Sequence, residues 1–231
     1  MRIELSAEEL QVFSIAFHTQ EPFEVEKVFE GKSFDYIQSR VTEVCEKYIN
    51  AGILGSPEFE KLMSRFLFAS KIMSVFANNI FWLCIMSSKR GLCARYYDQR
   101  TGKYLLWTID SRKEADSTIL KAIKLGDVKA PYKQKACFTG KEFAAKVRSG
   151  FQGDEGVVKV VYDSCVNNDL KLCNETNETG YPVVVTTQFT IGKDGINYLK
   201  AQVEDDRDFV ETGCTDTQGL INAAFYEIRK K

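Results

Sequence analysis

Leu92-Cys93-Ala94-Arg95-Tyr96-Tyr97-Asp98, then Gln99-Arg100-Thr101-Gly102, then Lys103-Tyr104-Leu105-Leu106-Trp107-Thr108-Ile109-Asp110 reads as strand, turn and strand. Side chains alternate between the two faces of a strand. Leu105, Trp107 and Ile109 therefore look one way, and Tyr104, Leu106 and Thr108 the other. A strand with apolar residues on both sides needs cover on both faces. The residues just upstream repeat the pattern. From about Val75 the period shortens, and Ile80, Trp82, Cys84 and Met86 alternate with Phe81, Leu83 and Ile85. Lys89-Arg90-Gly91 turns that run into the next strand. A three-stranded meander results. Leaving one of its large apolar side chains in water forfeits about 1.5–3 kcal/mol, so the N-terminal helices are its expected lid.

Helices flank this meander. Ser56-Pro57 opens one, with proline at the first helical position where its missing N–H costs nothing. Phe59, Leu62, Met63 and Phe66 mark its buried side, and the helix is expected over 57–72. After the meander, Ala115, Ile119, Ala122 and Ile123 form another helical stripe. Residues 57–124 thus read as helix, three strands, helix. Residues 140–231 read the same way. Thr139-Gly140-Lys141-Glu142 is a capping box. Phe143, Ala144 and Val147 follow on a helix that Gly150 and Gly153 break. Val158, Val160 and Tyr162 alternate in a strand, which Leu170 to Cys173 can continue. Asn174 to Gly180 reads as a polar loop, and its two Asn-x-Thr sequons, at Asn174 and Asn177, as a turn. Pro182 to Ile191 and Ile196 to Val203 form a hairpin around Gly192-Lys193-Asp194-Gly195. On its first strand Thr186, Gln188 and Thr190 face one side, and Val183, Val185 and Phe189 the other. Thr215-Asp216-Thr217-Gln218 caps a last helix that buries Leu220, Ile221, Ala224, Phe225 and Ile228.

Residues 1–56 precede both units as a helical segment. Ser6-Ala7-Glu8-Glu9 is a capping box ahead of Leu10, Phe13, Ala16 and Phe17. A second helix starts near Ser33, carries Phe34, Ile37, Val41, Val44, Cys45 and Tyr48, and stops at Gly52 in a left-handed cap. Gly126 to Phe138 has no clear period and reads as a hinge-like joint within one body. The fold class is therefore α+β: pseudo-duplicated helix–β-meander–helix units around antiparallel sheet, with an N-terminal helical segment, in a single domain 1–231. The two units share order and spacing but almost no residue identity. Duplication and two ordinary meanders in one α+β domain both fit.

Composition narrows the function. The chain has 231 residues, 44% hydrophobic and 27% charged, which is ordinary globular usage. A net charge of −1 argues against a general phosphate-backbone binder. The N-terminus lacks the apolar stretch of a signal peptide, and the longest apolar run, Ile80 to Met86, is too short to span a bilayer. Seven cysteines, irregularly spaced and without a Cys-x-x-Cys pair, point to a reducing, cytoplasmic setting. None lies closer than eight residues to the next, so no local zinc knuckle forms. Glu204-Asp205-Asp206-Arg207-Asp208 lacks the spacing of a calcium loop and reads as a solvated turn.

Catalytic equipment is sparse. His18 is the one histidine, so any Ser-His-Asp or Cys-His arrangement would have to use it. Its position after a helix end is more simply that of a residue favoured by the helix dipole. Gly102-Lys103, Gly140-Lys141 and Gly192-Lys193 lack the upstream glycine and following Ser or Thr of a phosphate loop. No catalytic residue, cofactor or metal is expected.

An N-terminal Leu5-Ser6-Ala7-Glu8-Glu9-Leu10, a helical lead-in, a meander ending Lys103-Tyr104-Leu105-Leu106-Trp107, a helix, and a second meander closed by a C-terminal helix together resemble the ESX (type VII) secretion-specific chaperones. The resemblance is one of pattern over most of the chain, and no binding residue carries across. It implies a two-part α/β body with antiparallel sheet that holds an export substrate by a helical tip. The expected function is then a non-enzymatic cytoplasmic adaptor or chaperone with a helical protein partner, no nucleic acid and no membrane insertion. A groove between the second sheet half and the last helix would take the partner's apolar anchors, with Val185, Phe189, Tyr198, Phe209 and Phe225 as candidates. Two alternatives stay open. One is a carboxylate-dependent enzyme with a cleft between the halves. The other is a DNA-binding regulator using the helices of 33–72, although the leading end of the second, Pro57-Glu58-Phe59-Glu60, is acidic.

Overall fold

The computed structural model describes residues 1–22, 25–77, 81–149, 171–176, 183–203 and 208–229. In chain order these form β1 (Arg2–Leu5), α1 (Ala7–Ala16), α2 (Phe34–Asn50), α3 (Pro57–Leu67), β2 (Lys71–Ala77), β3 (Phe81–Ser88), β4 (Gly91–Asp98), β5 (Lys103–Ile109), α4 (Arg112–Ala122), β6 (Gln134–Thr139), α5 (Gly140–Ser149), β7 (Lys171–Thr176), β8 (Val183–Gly192), β9 (Gly195–Val203), β10 (Phe209–Thr215) and α6 (Thr217–Arg229). The chain is α+β, with antiparallel pairing at the described registers. Contacts gather it into two compact units that are not contiguous in sequence: 1–70 with 84–112, and 71–83 with 113–231.

In the first unit the strands run in the order β1-β5-β4-β3. Residues 2–5, which read only as a lead-in, pair with β5 from Arg2 opposite Trp107 to Leu5 opposite Tyr104. On β5 the Tyr104, Leu106 and Thr108 face is buried, and α3 packs on β4 and β5. The helical lid closes on an aromatic cluster. Phe13 meets Tyr48 edge-on at 5.1 Å and Phe59 at 5.0 Å, and Tyr48 stacks on Phe59 at 6.3 Å. Such pairs contribute about 0.5–1.5 kcal/mol beyond their buried area. Leu10, Phe13, Phe59, Leu62 and Met63 are fully buried around it.

Local signals set the helix ends. The Ser6 hydroxyl accepts from the Glu9 amide at 3.1 Å while Glu9 accepts from the Ser6 amide at 2.8 Å. Three helices end in the same left-handed motif. Gly52 (φ 68°), His18 (φ 51°) and Lys124 (φ 53°) take the residue after the cap. The amides of Ile53, Thr19 and Leu125 then reach back to the carbonyls of Tyr48, Ser14 and Leu120. His18 is thus a backbone device of α1. Arg65 ties α3 to the sheet from within: its guanidinium donates to the carbonyls of Arg90 (3.2 Å), Leu92 (3.0 Å) and Ile109 (3.0 Å) and to the Asp110 carboxylate (2.8 Å).

In the second unit the order is β2-β7-β8-β9-β10-β6. The hairpin turns where the sequence places it, Gly192 opposite Gly195. Gly195, at φ 128°, lies so close to Ala130 and the Thr215 carbonyl that a Cβ would stand 2.9 Å from each. α6 packs across β7 to β10. Its start is held by the Asp216 carboxylate, which accepts from the Gly219 amide at 2.7 Å. The Thr217 hydroxyl accepts from the Val128 amide (2.8 Å) and donates to the Gly126 carbonyl (2.9 Å), fastening the preceding connector.

Several expectations are revised. The run read as one strand from about Val75 to Met86 is two, β2 and β3. Two further strands, β6 and β10, escaped the pattern. Each helix-to-helix stretch therefore holds four described strands rather than three. β6 lies at the end of the strand order and is mostly exposed, so nothing demands an apolar alternation from it. β10 carries Glu211, Thr212 and Gly213 at its middle. The Asn174 sequon lies within β7, between Met73 of β2 and Val185 of β8, not in a turn. α3 stops at Leu67 rather than near residue 72. The strand read at 158–162, the turn at 204–207 and the sequon at Asn177 lie outside the described residues.

Candidate functional site

Cross-strand register places four of the five candidate anchors on one sheet face. Val185 stands opposite Gln202, which stands opposite Phe209. Phe189 stands opposite Tyr198, which stands opposite Gly213. The two rows are four residues apart along each strand, about 13 Å. The missing Cβ of Gly213 makes room for the Tyr198 ring, since a Cβ there would lie 2.6 Å from it. Phe189 and Tyr198 are buried, whereas Phe209 is 38% exposed. Phe225 belongs to α6 by its backbone. The side chains of Val185 and Phe225 lie outside the described residues.

The opposite face is packed differently. Leu199 and Val210 form a small core with Phe143 of α5 and Ala201. Phe143 in turn lies 5.9 Å from Phe138 of β6. The Thr139 hydroxyl accepts from the Glu142 amide at 3.2 Å to start α5, as the capping box predicts.

Around Phe209 the Tyr198 face is polar and partly open. Glu211 is the hub. It accepts from the Tyr198 hydroxyl at 2.7 Å, from Lys135 at 3.4 Å and from the exposed Cys137 thiol at 3.8 Å. Burial, then the hydrogen bond and charge of Glu211, push the Tyr198 phenol far above its ordinary range. Burial and the Glu211 charge also push the Cys137 thiol up. Both groups therefore stay protonated at neutral pH, and a thiol is nucleophilic only as thiolate. This constellation can hold a polar partner group but is not poised to transfer a proton or attack a carbonyl.

The carboxylates tell a similar story. Among the described residues four are displaced, all downward: Glu9, Asp110, Glu142 and Asp216. For Glu9, burial alone would raise the pKa, but hydrogen bonds from Lys47, the Ser6 amide and Tyr48 outweigh it. Asp110 is lowered first by Lys61 and then by Arg65, Glu142 by the Thr139 amide, and Asp216 by Lys133. None of the four is set up as a general acid, which needs a raised pKa. Among the described residues no group of three His, Cys, Asp or Glu side chains could hold a metal ion, and no helix is long and apolar enough to cross a membrane. The outward positions of α3 include Glu58 and Glu60, the wrong charge for a helix laid against phosphates.

Sequence reasoning missed the Glu211 hub. The only signal for it was a lone acidic residue flanked by Val210 and Thr212, which becomes meaningful once β6 and β9 lie on either side.

No protein-family model matches the sequence, and comparison with curated proteins finds no match either. Among solved structures, the chain is similar in fold to the type VII secretion system chaperone EspG5 of Mycobacterium tuberculosis, determined in complex with a PE25–PPE41 dimer. The TM-score is 0.57 at 8% identity, over 97% of this chain and 94% of that one. At that identity the likeness is one of fold.

Proposed function

We propose that the chain is a non-catalytic protein-binding adaptor of the secretion-chaperone kind, working in the cytoplasm and holding a helical segment of a partner protein. The observation that carries this reading is the length of the fold likeness, which takes in both compact units of the chain and not one common motif. The solved relative was determined with a bound protein dimer. The described cysteines Cys45, Cys84, Cys93, Cys137 and Cys214 are free, as a reducing compartment allows.

The partner would lie on the Tyr198 face. Phe209 is its exposed anchor, with the buried Phe189 and Tyr198 on the same sheet face; Val185, in register with Phe209 through Gln202, and Phe225 of α6 are the further candidates. Helix-in-groove recognition uses a few such anchors at three- and four-residue spacing on the partner. Glu211, with Lys135 beside it, would orient the polar side of the partner.

Affinity capture from the native host at low salt, run in parallel on the wild-type chain and on Phe209→Lys, tests the reading. A protein with amphipathic helices should be retained by the first and depleted from the second. A bound small molecule in place of any protein partner would move the assignment to the carboxylate enzyme. A salt-sensitive DNA shift abolished by changes in α2 or α3 would move it to the regulator.

A further inference from the structure

α2 carries an apolar stripe that the first unit covers only in part, Val41 and Cys45 being half-buried at its middle. Of its residues only Val44 and Tyr48 are buried. Phe34 is 76% and Ile49 57% exposed. Phe34, Gln38, Val41, Cys45 and Ile49 follow one another at steps of four and three residues and so share a face. No charged residue interrupts them. One edge of this stripe adjoins the buried Val44 and Tyr48, and beyond that seam Arg40 is committed to Glu8 (2.6 Å) and to Glu43, and Lys47 to Glu9 (2.7 Å). On the other edge stand Asp35 and Glu46, neither in an ion pair with a described residue. They are eleven residues apart, about three helical turns, so they line up along the axis roughly 16 Å apart.

We propose that this face of α2 is a second docking surface, and that its occupant is an amphipathic helix of a partner protein bearing lysine or arginine on the rim that meets Asp35 and Glu46. The inference goes beyond the Tyr198 face, since it concerns a different compact unit. Charge selects the occupant. A second copy of this chain, laid antiparallel on the stripe, sets Asp35 of one copy near Glu46 of the other, where like charges at helix–helix spacing repel; a parallel copy turns each acidic rim toward the seam where the other copy's α1 packs on α2, whose Arg40 and Lys47 are already committed to Glu8 and Glu9. An anionic membrane surface is opposed by the same two carboxylates. A basic-rimmed helix meets both carboxylates and covers Phe34 and Ile49 together.

The test uses the full chain and two synthetic helical peptides of about five turns. Both carry the same leucine seam, one with lysines and one with glutamates three turns apart on the flank. Fluorescence anisotropy should show the lysine-rimmed peptide binding about tenfold tighter, the size expected of two partly exposed ion pairs. The preference should shrink as salt is raised. Asp35→Lys with Glu46→Lys should invert it. Phe34→Ser with Ile49→Ser should weaken both peptides by at least about tenfold, with unchanged far-UV circular dichroism showing that these exposed positions leave the fold intact. Equal affinity for the two peptides overturns the proposal, as does binding indifferent to the α2 variants. Self-association, or adsorption to anionic vesicles, that the α2 variants abolish would also overturn it.

Discussion

Arg65 offers the sharpest test of how the first unit is held. Its guanidinium spends four donor contacts on three backbone carbonyls and one carboxylate, gathered from β4, the turn before it and the end of β5. Of these, the bond to the Ile109 carbonyl is wholly buried, and the other three are partly reached by water. In Arg65→Ala the Ile109 carbonyl loses its partner where water cannot replace it, which costs about 1–3 kcal/mol. The partly wet bonds add about 0.5–1 kcal/mol each. Together these give about 2.5–6 kcal/mol. Arg65→Lys should recover little, because an ammonium cannot span four acceptors with one planar fork. Asp110→Asn should cost much less than either, since that carboxylate is well exposed. Gly91 supplies an independent handle. A Cβ there would lie 2.9 Å from the Arg65 Nε on a residue already at φ 120°. Gly91→Ala should therefore destabilise the wild type and cost clearly less in the Arg65→Ala background, a coupling that a double-mutant cycle reads directly. Urea unfolding followed by tryptophan fluorescence should show the midpoint of Arg65→Ala falling by about 1 M or more with the slope unchanged. A loss under about 1 kcal/mol, or strict additivity with Gly91→Ala, would falsify the claim that this side chain braces α3 against the sheet.

His18→Gly and Lys124→Gly should each stabilise the chain by about 0.5–1 kcal/mol, because they remove the left-handed strain of a residue with a Cβ; calorimetric Tm of the singles and the double checks this, and the two should add. Thr217→Val keeps the side-chain volume but orphans the Val128 amide and the Gly126 carbonyl, so about 1–3 kcal/mol should be lost, with amide exchange at Val128 accelerated. Acid should weaken the fold through the lowered carboxylates. A folded pKa held below the unfolded value contributes stability that is complete above the unfolded value, roughly pH 4, and is lost as pH falls through the folded one. Urea midpoints should then drop between about pH 4 and pH 2, less steeply in Asp216→Asn, and an unchanged slope in that variant would remove the Lys133–Asp216 pair (2.6 Å) from the account.

Helix starts and hairpins were legible along the chain because their causes are local. Ser6, Ser33 and Ser56 accept the amides of Glu9, Tyr36 and Phe59 within their own first turn, and a capping side chain needs no other part of the chain. Gly52 and the Gly192–Gly195 turn likewise declare a backbone conformation that side-chained residues avoid. The candidate anchors Val185, Phe189, Tyr198 and Phe209 were legible as apolar or aromatic residues on strands. That they share a face follows from the registers of β8 with β9 and β9 with β10.

Alternation and capping chemistry thus determined that this chain is α+β, where most helices begin, and that little acid–base equipment exists. Only the tertiary structure decided which strands pair across long separations: β1 with β5, a hundred residues away, and β6 with β10, some seventy-five away. It also decided that Arg65 is an internal brace, that Glu211 sits between Tyr198 and Lys135, and that one side of α2 stays open. The reason is physical. Edge strands and polar hubs draw their order from partners distant in sequence, whose positions no local periodicity encodes, whereas a cap or a tight turn is completed by residues within a few bonds of it.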